Sequence, residues 1–162
     1  MVLDAAHRAS IFQKLRPILG DEDANALMSQ YHSAEGPPVG VADLLDMRPA
    51  ELDVGRVAFV CDAQASFANP MGTVHGGIVA TLLDSALGCA VQTTLDEGVG
   101  YITVSLEVKY LRPIALDAGE LRAEATVVHA GRRQATAEAR LTDRAGRVLA
   151  TATTTCLILG AA

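Results

Sequence analysis

The stretch from Gly76 to Leu95 most constrains how this chain can fold: twenty residues carry one charge, Asp84. Such a segment has no face suited to water, so lipid or the rest of the protein must cover it. It is long enough to span a bilayer, but a lone spanning helix with a carboxylate near its middle would be costly. The residues that follow read as strands of a soluble sheet. We therefore read a helix from about Gly76 to Thr93 that is buried in protein.

From Ile102 to Tyr110 the even positions are apolar and the odd ones polar. That period of two predicts a strand with one buried face. Arg112-Pro113 closes it. Residues 120–130, 132–143 and 147–158 read as three more strands, with turns at Gly131 and at Asp143-Arg144-Ala145-Gly146. Another strand is predicted from Arg56 to Cys61, where Val57 and Phe59 alternate with Ala58 and Val60. The expected order is one strand, the long helix, then four strands in hairpin sequence. An antiparallel sheet has an apolar face that needs cover, and the helix is the only long element able to supply it. The predicted fold is therefore α+β, an antiparallel sheet wrapped around a long central helix.

Upstream, Ile11, Leu15 and Leu19 have helical spacing, interrupted by Pro17, over residues 4–19. Asp21-Glu22-Asp23 suits the start of a second short helix over 21–33. Glu35-Gly36-Pro37-Pro38 reads as a turn or linker. We expect an N-terminal helical extension, 1–35, and one domain, 36–162.

Several function classes are disfavoured. The 13 Lys and Arg are outnumbered by 19 Asp and Glu, and aromatic residues are 4% of the chain, so neither a basic face nor a stacking platform for nucleic acid is expected. From Tyr101 onward, however, eight basic residues face six acidic ones, which could hold a ligand's phosphates. Cys61, Cys89 and Cys156 are widely spaced, so neither a disulfide framework nor a zinc site is signalled. No His pair has metal-ligand spacing, and no metal or cofactor is expected. The cysteine usage and a charged N-terminus point to the reducing cytoplasm.

The unusual residues cluster at the entrance to the long helix. Asn69 opens a loop that runs through Gly72 to His75-Gly76-Gly77, and Asp84 follows. The first amides of a helix have no internal partner and lie at the positive end of its dipole, so they can polarise a carbonyl. Asp84 lies two turns beyond Gly77, on a face shared with Ala80, Thr81 and Gly88. A carboxylate on such a helix is a candidate base or nucleophile. Taken singly, each residue has an ordinary structural role open to it: Asp84 a hydrogen bond, His75 a helix cap, Asn69 a turn before Pro70.

Together, Asn69, Gly72, His75-Gly76-Gly77 and Asp84 resemble the motif of PaaI-type (phenylacetyl-CoA thioesterase-like) hotdog-fold acyl-CoA thioesterases. The resemblance covers roughly residues 40–160. It implies that Asp84 acts as nucleophile or as base for water, and that the Gly76 amide, beside Gly77, polarises the thioester carbonyl. Asn69 and His75 would position the thioester or the water, and Thr103 would orient that water. It also implies a site shared between two chains of a homodimer, with a dimer of dimers common; the charge balance and the buried-helix reading already speak against a nucleic-acid or membrane partner. Arg132 and Arg133, with Arg112 behind them, would meet the CoA phosphates, although each also reads as a solvated turn or edge charge. Two other readings stay open: a hotdog hydratase or dehydratase, and a non-catalytic acyl-CoA binding or sensing protein. No Gly-x-Ser-x-Gly occurs, which sets aside a serine hydrolase.

Overall fold

The computed structural model describes residues 40–96 and 99–159. The predicted helices over 4–19 and 21–33, and the turn at 35–38, lie outside these residues. A short helix, α1 (Val41–Leu44), leads into a hairpin of β1 (Arg48–Asp53) and β2 (Arg56–Asp62). The long helix α2 (Gly76–Gln92) follows, then β3 (Gly100–Tyr110), β4 (Glu120–Ala130), β5 (Gln134–Asp143) and β6 (Val148–Leu159). All six strands form one antiparallel sheet in the order β1-β2-β4-β5-β6-β3.

Two features depart from the expected order. β1 is an additional edge strand; its sequence, Arg48-Pro-Ala-Glu-Leu-Asp53, has little apolar alternation, and Pro49 is tolerated because an edge position needs no donor there. The four later strands are also not successive hairpins. β4, β5 and β6 are, but β3 lies at the far edge, pairing Tyr101 with Ile158 and Tyr110 with Ala150 of β6. The connection over 111–119 is too long for a tight hairpin and carries the chain across, leaving β2 as the neighbour of β4.

The helix packs across β2 to β6. It buries Val79, Leu82, Leu83, Ala86, Leu87, Ala90 and Val91. The sheet face beneath it alternates as the period of two requires, but with small residues: Ala123 and Ala125 of β4, Ala135 and Ala137 of β5, Ala150 and Ala152 of β6. Alanine lets a leucine-bearing helix sit close to the backbone of the sheet, which fills the core almost without aromatic side chains. The outer face is polar and carries ion pairs such as Arg122–Glu51 at 2.7 Å and Arg140–Glu124 at 2.9 Å.

The helix ends are tied down by side chains. His75 is the N-cap, its Nδ1 accepting from Gly77 N–H. At the other end the Thr93 hydroxyl donates to Ala90 O and accepts from Gly55 N–H, each at 2.7 Å, linking the helix to the β1–β2 turn.

β3 holds the main local surprise. Its alternation does not run unbroken: Thr103 pairs with Cys156 and Ser105 with Thr155, so Val104 is an extra residue in a bulge. Beyond the bulge Leu106 and Val108 pack on the core, as the period predicts. Before it the faces exchange. Tyr101 and Thr103 turn toward α2, while Ile102 and Val104 are left 51% and 57% exposed on the sheet edge.

Candidate active site

The entrance loop is built by Asn69. Its Oδ1 accepts from Met71 N–H at 2.9 Å and Thr73 N–H at 3.1 Å, and its Nδ2 donates to Thr73 Oγ1 at 2.9 Å. Within one protomer, then, the Asn69 amide shapes its own loop. The His75 N–H donates to Phe67 O at 2.8 Å, which fixes where the helix begins.

The first turn of α2 disposes of its amides unequally. Gly77 N–H donates to His75 Nδ1 at 2.9 Å, and Ile78 and Val79 N–H donate to His75 O. Gly76 N–H has no partner among the described residues. The helix dipole therefore presents one open donor, on a backbone where a Cβ would stand 3.3 Å from the Tyr110 ring. Because Nδ1 of His75 is an acceptor, its neutral ring carries the proton on Nε2, and His75 is exposed.

Asp84 is half-buried on the face of α2 that looks toward β3. Thr103 Oγ1 lies 3.4 Å from Asp84 Oδ1. The bulge makes this contact: were Val104 paired in regular alternation, Thr103 would point away. One turn beyond Asp84 is Gly88, and Tyr101 fills the space above it; a Cβ on Gly88 would be 2.1 Å from the Tyr101 hydroxyl oxygen. Asp84 and Gly88, as i and i+4 neighbours, put that phenol on the same side of the helix as the Asp84 carboxylate.

No cysteine here is a ready nucleophile. Burial, helped by the Asp84 charge, pushes the Cys89 thiol up to about 11. Burial also raises Cys156, with the neighbouring Thr154 and Thr103 hydroxyls acting in the opposite direction. Burial raises the Tyr101 phenol as well, so it stays protonated at neutral pH. Among the described residues no group of three or more His, Cys, Asp or Glu could hold a metal ion.

Not all the predicted residues meet in one protomer. Gly76 and Asp84 are eight residues apart, roughly 12 Å along the helix axis. Arg112 sits by Leu149, its N–H donating to Leu149 O, and its guanidinium donates to Val148 O. Arg133 sits by Ile158, whose N–H donates to Arg133 O at 3.1 Å. These points lie at opposite ends of β6, roughly 30 Å apart, so within one chain Arg112 does not stand behind Arg132 and Arg133. Arg132 and Arg133 are exposed. Instead, the Gly76 entrance opens on a cleft of about 330 Å³ lined by Val79, Tyr110, Arg112 and Leu149.

Sequence reading did not single out Tyr101 or Tyr110. A partial signal existed for the first, because a glycine in the middle of a buried helix has a packing reason, and Gly88 is such a glycine.

The sequence matches the Thioesterase superfamily over residues 71–150, a span that holds Gly76, Asp84, Thr103, Tyr110 and Arg112. A phenylacetic acid degradation-related protein of Ralstonia eutropha superimposes with a TM-score of 0.68 at 32% identity, covering 80% of this chain and 97% of that one. A mutant form of the phenylacetic acid degradation protein PaaI of Thermus thermophilus gives 0.66 at 28% identity, covering 73% and 97%. A Halobacterium salinarum protein carrying an esterase designation is 48% identical over 62 residues, 37% of this chain and 39% of that protein's length. The chain belongs to the thioesterase superfamily, among its PaaI-like hotdog members. Among the described residues no helix is long and apolar enough to cross a membrane.

Proposed function

We propose that this protein is an acyl-CoA thioesterase whose site is completed across a homodimer. The observation that carries the reading is the unengaged Gly76 N–H at the start of a helix that bears Asp84 two turns on. A thioester oxygen at Gly76 would be polarised by the helix terminus, and Asp84 would attack the carbonyl carbon or deprotonate water. With roughly 12 Å between them on one helix, the two must come from different chains. Ile102 and Val104, exposed along a strand edge that no other described residue pairs, favour such a pairing. Antiparallel pairing of two β3 edges sets the Tyr110 end of one strand, with its Gly76, beside the Thr103 end of the other, with its Asp84. It also brings Arg112 of the partner subunit toward Arg132 and Arg133, where the CoA phosphates would lie.

In this reading Thr103 orients water toward Asp84, and His75 Nε2–H faces the reacting group while Nδ1 holds the loop. The likeness to phenylacetic acid degradation proteins favours aryl-CoA or medium-chain acyl-CoA substrates. The protein acts as a cytoplasmic enzyme and needs no metal or prosthetic group.

The test is release of free thiol from a panel of aryl-, short-, medium- and long-chain acyl-CoAs. Asp84→Ala lowers the rate by about 100-fold or more with the fold intact. Unchanged turnover in that variant refutes the assignment, and acyl-CoA binding with no thiol release in the wild type points to a sensor. Shared construction is checked by mixing Asp84→Ala with Gly76→Pro, which removes the amide at a position where proline suits a helix. Subunit exchange restores one intact site per heterodimer, or about a quarter of wild-type activity at equal mixing.

A further inference from the structure

The hydroxyl of Tyr110 donates to Gly76 O at 2.9 Å. That carbonyl needs no further partner, because it already accepts the helical bond from Ala80 N–H. The bond therefore serves something other than satisfaction of a buried group. Gly76 C=O and Gly77 N–H belong to the same peptide unit, and Gly77 N–H is held by His75 Nδ1 at 2.9 Å. One peptide plane is thus gripped at both ends by side chains. The plane before it, His75 C=O with Gly76 N–H, is held as well, since His75 O accepts from Ile78 N–H at 3.0 Å and Val79 N–H at 3.4 Å. The two planes meet at Gly76 Cα, so the one that carries the open N–H can rock only against the one that Tyr110 and His75 grip.

The ring of Tyr110 adds a second restraint. Its Cζ and hydroxyl oxygen would each stand 3.3 Å from a Cβ at Gly76, so the ring lies directly against the glycine backbone and walls the adjoining cleft. Glycine is the residue whose backbone wanders most freely. A glycine supplying a catalytic donor needs an outside restraint, and Tyr110 supplies it from another element, β3.

We infer that Tyr110 is a positioning residue for the proposed thioester site: through its hydrogen bond to Gly76 O it aims the Gly76 N–H at the carbonyl oxygen. The inference rests on the thioesterase reading for its use, but the restraint itself can be measured without any substrate. Donors aimed before reaction begins are worth most at the transition state, so loss of aim lowers kcat and leaves ground-state binding alone.

The variant is Tyr110→Phe, which keeps the ring and the cleft wall and removes the hydroxyl. In the intact homodimer, backbone 15N relaxation is expected to show the Gly76 and Gly77 amide order parameters falling from about 0.85 toward 0.6, with helix-interior amides unchanged. On the best acyl-CoA found in the panel, kcat is expected to fall about two- to tenfold with KM within about twofold of wild type. Unchanged order parameters overturn the restraint whether or not the protein is active. Looser amides with an unchanged kcat in an active enzyme overturn the positioning role. A variant that raises KM and leaves kcat alone makes Tyr110 a wall of the cleft only. If the wild type cleaves no thioester, the proposed function fails, and so does the reactive use of the Gly76 amide, while the relaxation data still decide whether the tyrosine holds it.

Discussion

Gly88→Ala is the sharpest test of how β3 and α2 fit together beside Asp84. In an ordinary helix interior this change stabilises by about 1 kcal/mol, because alanine loses less backbone freedom. Here a new Cβ would stand 2.1 Å from the Tyr101 hydroxyl oxygen and 2.8 Å from Cζ, so the ring must retreat by about 1.3 Å to reach ordinary contact at 3.4 Å. Tyr101 is half-buried on a paired strand and has only two side-chain torsions with which to move, so overpacking costs about 1–3 kcal/mol. The net effect runs from neutral to about 2 kcal/mol destabilising, read by calorimetry as up to about 8 °C in the unfolding midpoint. In a Tyr101→Ala background the same change should stabilise by about 1 kcal/mol, since the obstacle is gone. A Gly88→Ala protein that melts higher than wild type with Tyr101 present would refute the close approach. Because the displaced phenol borders Asp84, the acyl-CoA profile should change along with stability.

Other outcomes follow from the same geometry. Thr103→Val keeps the shape and removes the hydroxyl 3.4 Å from Asp84 Oδ1; thiol release should fall about tenfold with the melting midpoint nearly unchanged. Leu87→Ala opens a cavity between α2 and the alanine-lined sheet and should cost about 2–5 kcal/mol in denaturant unfolding. Burial acts to raise the Glu124 carboxyl, but Arg140, Arg56 and Arg122 outweigh it and hold it below its ordinary value of 4.5. A depressed value contributes stability that is complete above the ordinary carboxylate range and is lost as pH falls through the folded value. The melting midpoint should therefore decline below about pH 4.5, and Glu124→Gln should flatten that decline.

Properties that follow from local pattern were legible in the sequence. A nearly uncharged run with two glycines at its head specifies a buried helix over 76–92, and alternation between turn residues specifies β4, β5 and β6. The partner of β3 was not legible, because strand pairing depends on where a nine-residue connection can travel rather than on the strand's own residues. The bulge was hidden for a related reason. The even-apolar pattern from Ile102 to Tyr110 is unbroken, and only the mismatch with β6 shows that Ile102 and Val104 face outward. For the site, sequence spacing placed Asp84 and Gly76 on one helix, but it carried no sign of which first-turn amide is left open. That depends on where His75 Nδ1 and His75 O find donors. The two tyrosines were missed because their part lies in packing against glycines far away in the chain.

The extra residue in β3 lets the strand exchange faces without losing its partner. Thr103 and Ser105 take successive places opposite Cys156 and Thr155, so excising Val104 would leave Thr103 turned toward the helix and Ile102 outward. Absorbing Val104 into a regular ladder would instead swap the faces of residues 101–103 and carry the Thr103 hydroxyl away from Asp84. A shorter strand is therefore the tolerated change here, and a straighter one the harmful change.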